Sequence, residues 1–246
     1  MTTAKLPAQS PLGPAEFQLP DPPPRHPDEM TSVEHLHEPG NTHHLAQFLG
    51  NPDTTLVTAE RYIAREPDSS ASERRVPDLL IAFDVNPAAY RARNGYIISE
   101  QGKPPDFVLE IASASTGRSD VEEKRDAYAA FGILEYWRFD QTGEHHGARL
   151  AGDRLEGGRY VPIPMDGLSE DVLQGYSAAL NLHLRWEAGR LGWHDPATGE
   201  HIPTYESQRA RADQERLRAD QERAARIQAE ARIRELENEL HRLRNQ

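Results

Sequence analysis

Asp78 and Glu110 lie inside apolar runs of this chain, where a charge needs a chemical reason. Asp78 interrupts the run Val76–Val85, and Glu110 interrupts the run Phe107–Ile111. Burying an unpaired charge is expensive, so each carboxylate requires a compensating partner. If the two runs are neighbouring strands, their carboxylates repel each other unless a cation lies between them. Hard divalent cations such as Mg²⁺ or Mn²⁺ take oxygen ligands, and Mg²⁺ keeps several waters, so two protein carboxylates are enough.

A lysine lies on the helix that is predicted to follow the second run. Lys124 falls on the same side of that helix as Val121, Tyr128 and Phe131, which repeat with the period of an amphipathic helix. An ammonium group on this inward side could neutralise negative charge that develops at a phosphate, or orient a water. Asp78, Glu110 and Lys124 together therefore predict a metal-dependent hydrolytic site.

Each of the three residues also has a purely structural interpretation. Asp78 follows Pro77 and could be a turn residue at the start of a strand. Glu110 could form an ion pair with an arginine, and Lys124 could extend past its apolar neighbours to water. One site explains all three residues, whereas the structural interpretations need a separate reason for each.

Histidine offers a rival metal site, but its spacing does not support one. No histidine pair has the HExxH spacing of a zinc-binding helix. Paired surface histidines are more often solvated than ligating, so a histidine-metal enzyme is disfavoured. The histidines concerned are His35, His37, His43, His44, His145 and His146.

The apolar pattern also predicts the elements that position the candidate residues. Strands are predicted at Val76–Val85, Asp106–Ser113 and Leu134–Asp140. A helix is predicted between the last two, from Asp120, with acids in its first turn, to a terminating Gly132. The site would therefore be built on two strands and one helix.

The rest of the pattern predicts a mixed fold. A short helix begins at Asn41 or Thr42, and Asn86–Asn94 is predicted to be a turn. Strands combined with at least two helices, and late hairpin signals, indicate the α/β (α+β) class with a mixed β-sheet flanked by helices. Further strands are predicted at Thr54–Ala64, Tyr96–Ser99, Arg159–Ile163, Ala179–Trp186 and Leu191–His194.

Composition divides the chain into three parts. Residues 1–29 are rich in proline and poor in large apolar side chains, which predicts a disordered arm. Residues 30–204 carry the strand and helix patterns of a folded domain. Residues 205–246 change completely to a charged, helical pattern, which predicts a separate tail.

Charge and cysteine content exclude several classes of protein. The net charge of −12 argues against a protein that coats nucleic acid non-specifically, but a nuclease site must itself hold carboxylates. The chain has no cysteine, which excludes thiol nucleophiles and cysteine-bound zinc. No apolar run is long enough to span a bilayer and no signal pattern begins the chain, so we expect a cytoplasmic protein with no membrane partner.

The tail has the repeat of a coiled coil. RADQERL is followed directly by RADQERA, and Ile233, Leu236, Leu240 and Leu243 then follow the 3-4-3 spacing of a coiled-coil seam. This pattern predicts a homodimer, or a helical partner, bound through residues 205–246. A single solvated helix is the alternative, because the first heptads carry Ala, Asp and Glu where a strong seam needs larger apolar residues.

The candidate residues and their neighbours resemble a known family. The sequence resembles the Uma-type family of restriction endonucleases, within the PD-(D/E)XK nuclease superfamily, over roughly Val33–Thr204. The resemblance is strongest in residues 76–140. It is carried by Pro77-Asp78, PDFVLEIASAST, Asp120, Lys124, Tyr128 and GILEYWRFD.

The resemblance implies a restriction-endonuclease-like core with a divalent metal, Mg²⁺ or Mn²⁺, held by Asp78 and Glu110. It also implies hydrolysis of DNA phosphodiester bonds by a metal-activated water. Ala112 stands where the superfamily ordinarily has lysine, so Lys124 from the next helix would have to replace it. An acid from the N-terminal region often completes such sites, and Glu34 and Glu38 are both candidates.

Two functional hypotheses remain open. The first is a metal-dependent DNA endonuclease in which Asp78, Glu110 and Lys124 are the catalytic residues. The second is a catalytically inactive protein that keeps the nuclease fold as a binding or assembly module and acts through its coiled coil. Ala112 and the acidic charge favour the second hypothesis, and the three candidate residues favour the first.

Overall fold

The computed structural model describes residues 17–23, 41–112 and 120–244. The chain divides into two units, residues 1–202 and residues 203–246. In the first unit, helix α1 (Asn41–Leu49) precedes strands β1 (Leu56–Thr58), β2 (Ile63–Ala64) and β3 (Leu79–Ala82). Next come α2 (Pro87–Arg93), β4 (Tyr96–Ile97), α3 (Ile98–Gln101) and β5 (Phe107–Ile111).

A helix and seven strands follow β5 in the first unit. The helix begins with a wide turn at Asp120–Lys124 and continues as α4 (Arg125–Phe131), which Gly132 ends with a φ of 83°. The strands are β6 (Glu135–Phe139), β7 (Leu150–Glu156), β8 (Arg159–Pro162), β9 (Met165–Ser169), β10 (Val172–Ser177), β11 (Leu182–Glu187) and β12 (Arg190–His194).

The central sheet is mixed, as the sequence pattern predicts. Its six strands run in the order β1-β3-β5-β6-β7-β8, and β5 and β6 form a parallel pair among otherwise antiparallel neighbours. The helix between β5 and β6 provides the crossover that a parallel pair requires. A second sheet has the antiparallel order β12-β11-β10-β9, and β2 and β4 form a short parallel pair. The prediction of a mixed sheet flanked by helices is confirmed.

Alternate residues of the central strands serve two different cores. One face of the sheet packs against the second sheet, where Trp137 and Phe139 of β6 share a cluster with Trp193 of β12. The opposite face carries Val108 of β5 and packs against Tyr128 of α4. A residue's position in a strand therefore decides whether it faces the second sheet or the helix.

One predicted turn is wrong, since Asn86–Asn94 contains helix α2. The side chain of Asn86 caps this helix by accepting hydrogen bonds from the backbone N–H groups of Ala88 and Ala89, and Pro87 occupies its first turn. Asn94 ends it in the left-handed conformation with a φ of 54°. Asn and Pro favour turns, but they also favour the two ends of a short helix.

Several strand predictions need correction. The predicted strand Thr54–Ala64 is two short strands, β1 and β2, in different sheets. Strands β7, β9 and β10 have no counterpart among the predictions. Glycine at Gly152, Gly167 and Gly175 weakens their apolar pattern, and β9 is largely exposed, so neither period-two alternation nor a continuous apolar run is visible.

Residues 17–23 lie in the predicted disordered arm, but they pack against other residues of the first unit. Leu19 is 2% exposed, and its N–H donates to the carbonyl oxygen of Arg93 at 2.8 Å. Arg93 in turn donates to the carbonyl oxygen of Phe17 at 3.1 Å. A Cβ added at Gly95 would lie 2.5 Å from Cδ1 of Leu19, so this leucine fills a space that glycine leaves open. One well-placed apolar side chain can anchor a segment whose composition predicts disorder.

The second unit consists of one long helix, α5 (Tyr205–Arg244), so the predicted helical tail is present. Its large apolar side chains are exposed, including Ile233, Leu236, Leu240 and Leu243. Pairing of this helix in a coiled coil stays a prediction. Among the described residues, no helix combines the length and apolar character needed to cross a membrane.

Candidate active site

Strand pairing brings Asp78 and Glu110 to one place. Leu79 of β3 pairs with Leu109 of β5 in the antiparallel ladder, so the next pair outward along the two strands would be Asp78 and Glu110. The backbone N–H of Ile111 donates to Oδ2 of Asp78 at 2.6 Å, which links the two segments directly. Asp78 is 4% exposed and Glu110 is 1% exposed. Glu110 therefore lies buried on β5, and Asp78 lies buried directly before β3, which is shorter than the predicted strand Val76–Val85 and does not contain Asp78.

The helix after β5 supplies the third candidate residue. Nζ of Lys124 lies 2.9 Å from Oε2 of Glu110, and the lysine side chain is 23% exposed. The ammonium group is thus directed at the acid rather than past its apolar neighbours into bulk water. The ion pair of Glu110 is with this lysine, where the structural interpretation from sequence named an arginine.

Tyr128 is a site residue whose contact the sequence does not reveal. Its hydroxyl donates to Oε1 of Glu110 at 2.5 Å, and the side chain is fully buried. Lys124 and Tyr128 are four residues apart, which places them on one side of the helix. Tyr128 fits the apolar period of the helix, so its position on the inward face was predictable, but its hydrogen bond was not.

The protonation state of Tyr128 follows from its surroundings. Burial raises the pKa of the phenol well above its ordinary value, and the negative charge of Glu110 raises it further. The negative charge of Asp78 acts on this pKa in the same direction. Tyr128 therefore stays protonated and remains a hydrogen-bond donor to Glu110 at all ordinary pH values.

A network of two arginines and one aspartate lies beside the site. Arg138 of β6 is the ladder partner of Glu110, and it donates to Oδ2 of Asp153 at 2.7 Å. Arg125, the residue after Lys124, donates to Oδ1 of the same aspartate at 3.0 Å. Asp153 is 2% exposed and lies in β7, a strand that the sequence pattern does not predict. The apolar pattern therefore carries no signal for this network.

Asp78 and Glu110 form a donor set that fits a hard divalent cation. Carboxylate oxygens are the ligands that Mg²⁺ and Mn²⁺ prefer, and Mg²⁺ keeps several waters of its own. Within the described ranges, no group of three or more His, Cys, Asp or Glu side chains is placed to hold a metal ion. Asp78 and Glu110 would supply two of the ligands of the cation, and water would supply others.

The structure describes only some of the remaining candidate residues. The backbone N–H groups of His145 and His146 donate to Oδ2 of Asp140, in a turn after β6. His44 is buried in α1. The backbone N–H of Ala112 donates to the carbonyl oxygen of Phe139 at 2.8 Å, so Ala112 continues the β5–β6 pairing. Glu34, Glu38, His35, His37 and the side chain of His43 lie outside the described part of the chain.

A comparison with known protein families shows which family the chain belongs to. The Uma2 family model, described as "Putative restriction endonuclease", matches residues 29–185, which is more than half of the chain. The chain belongs to the Uma2 family. The match contains both strands and the helix that carry Asp78, Glu110 and Lys124, so this site lies within the Uma2 domain.

A solved structure also resembles the Uma2-family chain. It is described as a putative nuclease belonging to DUF820, from Anabaena variabilis, with 12% sequence identity and a TM-score of 0.39. The similarity covers 61% of this chain and 76% of that one. None of the curated protein sequences matches the Uma2-family chain.

Proposed function

We propose that this protein is a metal-dependent endonuclease that hydrolyses phosphodiester bonds in DNA. The observation that carries the proposal is the convergence of two buried carboxylates, Asp78 and Glu110, with the ammonium group of Lys124 at 2.9 Å from Glu110. Membership of a family of restriction endonucleases points to the same reaction class and to DNA as substrate.

Asp78 and Glu110 would hold the cation, Mg²⁺ or Mn²⁺. A divalent cation bound at such a site lowers the pKa of a bound water and stabilises negative charge on phosphoryl oxygens. The chain itself prepares the ligands before any cation binds. The N–H of Ile111 donates a hydrogen bond to Asp78, and the side chains of Lys124 and Tyr128 donate hydrogen bonds to Glu110.

Lys124 provides positive charge at the partly open side of the site. Its side chain is 23% exposed, whereas that of Glu110 is 1% exposed, so the lysine is the member of this ion pair that is open to solvent. A phosphate that approaches the carboxylates from solvent would meet this charge. An ammonium group in that place stabilises negative charge that develops on the phosphate and can orient a water. Lys124 would thus replace the lysine that is missing at Ala112.

The test is DNA cleavage by the full chain with Mg²⁺ or Mn²⁺ and with EDTA. Substrates should include supercoiled plasmid and linear duplex, single-stranded and branched oligonucleotides. We expect cleavage that requires the metal and falls to background in Asp78→Asn, Glu110→Gln and Lys124→Met. Glu100→Gln is the matched control, because Glu100 is a part-buried glutamate that pairs with Arg93 at 2.8 Å outside the site.

Two results would contradict the proposal. One is the absence of metal-dependent cleavage of every substrate by the wild-type protein. The other is a Glu110→Gln variant that cleaves as fast as wild type.

The second candidate function is a non-catalytic assembly module that acts through α5. It is favoured by Ala112 and by the exposed apolar stripe of Ile233, Leu236, Leu240 and Leu243. In an aqueous environment such a stripe is a candidate contact surface, and its 3-4-3 spacing suits a second copy of the same helix. A homodimer formed in this way is also compatible with the endonuclease.

Sedimentation of the full chain tests the proposed dimer. We expect a dimer for wild type and a monomer for the double variant Leu236→Glu, Leu240→Glu. Leu217→Glu is the control, because Leu217 is also exposed on α5 but lies outside the 3-4-3 stripe. If the wild-type protein sediments as a monomer at micromolar concentration, the prediction of a homodimer is wrong. If the chain dimerises but cleaves no DNA, the assembly function becomes the better account.

A further inference from the structure

Two of the groups that donate hydrogen bonds to Glu110, on Lys124 and Tyr128, differ greatly in mobility. Lys124 contacts Oε2 from a long, flexible side chain that is 23% exposed. Tyr128 contacts Oε1 from a rigid ring that is 0% exposed and that lies 5.3 Å from the ring of Tyr136. The two oxygens of one carboxylate are therefore distinguished, since Oε1 faces the packed core and Oε2 faces the partly open side.

We propose that Tyr128 is the positioning residue that fixes the Glu110 carboxylate for cation binding. This inference rests on the proposed function. The phenol locks Oε1, so the carboxylate cannot rotate about its terminal torsion, and Oε2 is the oxygen presented to the cation. Lys124 also contacts Oε2, but an ammonium on a four-carbon stem cannot hold the carboxylate plane in one orientation as an immobile ring does.

A purely structural role would make Tyr128 equivalent to other buried tyrosines. Tyr160 is such a residue, because it is 7% exposed and its hydroxyl donates to the carbonyl oxygen of Ile133 at 2.9 Å. Its ring also packs near Tyr136, at 6.0 Å between centroids. Both tyrosines lie in the same hydrophobic core, and each donates a hydrogen bond from its hydroxyl group. Only the acceptor of Tyr128, Glu110, is a proposed metal ligand. This difference makes Tyr160 the matched control.

The experiment compares Tyr128→Phe with Tyr160→Phe in the full chain. Mn²⁺ affinity is measured by isothermal titration calorimetry without DNA, and cleavage of duplex DNA is measured separately. Loss of a residue that orients a metal ligand typically weakens metal binding by about 10–100-fold. We expect a loss of that size in Tyr128→Phe and unchanged affinity in Tyr160→Phe. Cleavage by Tyr128→Phe at saturating DNA and limiting Mn²⁺ should fall by a similar factor.

Lys124→Met gives a second, independent test that does not require Tyr128→Phe to fold. If Tyr128 positions Glu110, removing the lysine leaves Mn²⁺ affinity unchanged or tighter, since a competing cation is lost from Oε2. Weaker Mn²⁺ binding in Lys124→Met would overturn the inference, because Lys124 would then be the orienting group.

The outcomes separate the inference from the proposed function. Wild-type protein that binds Mn²⁺ and cleaves DNA, with equal Mn²⁺ affinity in Tyr128→Phe and Tyr160→Phe, overturns the role of Tyr128 alone. Wild-type protein that neither binds Mn²⁺ nor cleaves DNA overturns the proposed function, and the role of Tyr128 falls with it.

Discussion

Glu110 and Glu135 are buried glutamates on adjacent parallel strands, and each is 1% exposed. They face opposite sides of the central sheet. Glu110 faces the helix, where Lys124 and Tyr128 contact it. Glu135 faces the second sheet, where its oxygens accept hydrogen bonds from Trp137, Ser177 and the N–H groups of residues 178 and 179.

The difference lies in the donors. Glu135 accepts its hydrogen bonds from neutral groups, two of them on the backbone, and it forms a longer salt bridge with Arg154 at 3.6 Å. The donors at residues 177–179 belong to the chain around β10 and cannot leave without disrupting the fold. Glu110 is bonded in part by a flexible ammonium group that a cation or a phosphate could draw away. Burial of an acid is thus a poor marker of a site by itself, and the identity of its donors is a better one.

The largest expected effect is on folding, at Glu135. Glu135→Ala leaves the indole N–H of Trp137, the hydroxyl of Ser177 and the N–H of Ala178 without their acceptor. Each unsatisfied buried donor costs about 1–3 kcal/mol, so we expect the free energy of unfolding to fall by about 3 kcal/mol or more. The free energy of unfolding should fall by less in Glu110→Gln, because the glutamine side chain can still accept the hydrogen bond from the hydroxyl of Tyr128. Urea unfolding of both variants measures the difference, and a larger loss in Glu110→Gln would reverse the comparison.

A smaller effect is expected from Lys124→Met, and it should depend on divalent cations. Without Lys124, the buried carboxylate of Glu110 loses a compensating charge, which should cost about 1–3 kcal/mol of unfolding free energy in EDTA. Millimolar Mg²⁺ should restore most of that loss by supplying positive charge. Lys103→Met is the control, since Lys103 pairs with Asp106 at 2.7 Å away from the site. If Mg²⁺ restores the unfolding free energy of Lys103→Met as fully as that of Lys124→Met, the cation does not bind specifically at Glu110.

The smallest effect is expected at Asp140, a second carboxylate held by backbone donors. Burial alone would raise the pKa of Asp140, but hydrogen bonds from the N–H groups of His146, Gly143, His145 and Thr142 together lower it. A lowered folded-state pKa adds stability above the unfolded value near 3.8, and that stability is lost as the pH falls through the folded value.

Asp140→Asn tests this contribution. We expect the variant to lose about 1 kcal/mol of unfolding free energy at pH 7. The gap to wild type should narrow steadily as the pH falls below about 4, where the wild-type carboxyl becomes protonated. Urea unfolding of both proteins at several pH values measures this difference in unfolding free energy. A gap that does not change with pH would mean that the charge of Asp140 contributes nothing to stability.

Local chemistry accounts for the parts of the fold that could be predicted. The run around Glu110 forms strand β5, and Gly132 ends the helix after it, as the sequence indicates. The helix α2 was missed although Asn86, Pro87 and Asn94 carry its capping signals, because the same residues also favour turns. The packing of Leu19 was missed because composition is averaged over a whole segment. Its burial depends on a single side chain that fits the space beside Gly95.

The sequence by itself determined that Glu110 lies on a buried strand and that Lys124 and Tyr128 share the inward side of the helix that follows it. Asp78 and Glu110 lie in apolar runs, and the helical period turns Lys124 and Tyr128 inward together. Only the tertiary structure decided which atoms meet: Oε2 of Glu110 with Lys124, Oε1 with Tyr128, and Asp153 with the two neighbouring arginines. The physical reason is that strand order and register bring together residues far apart in the chain, and no local pattern encodes such contacts.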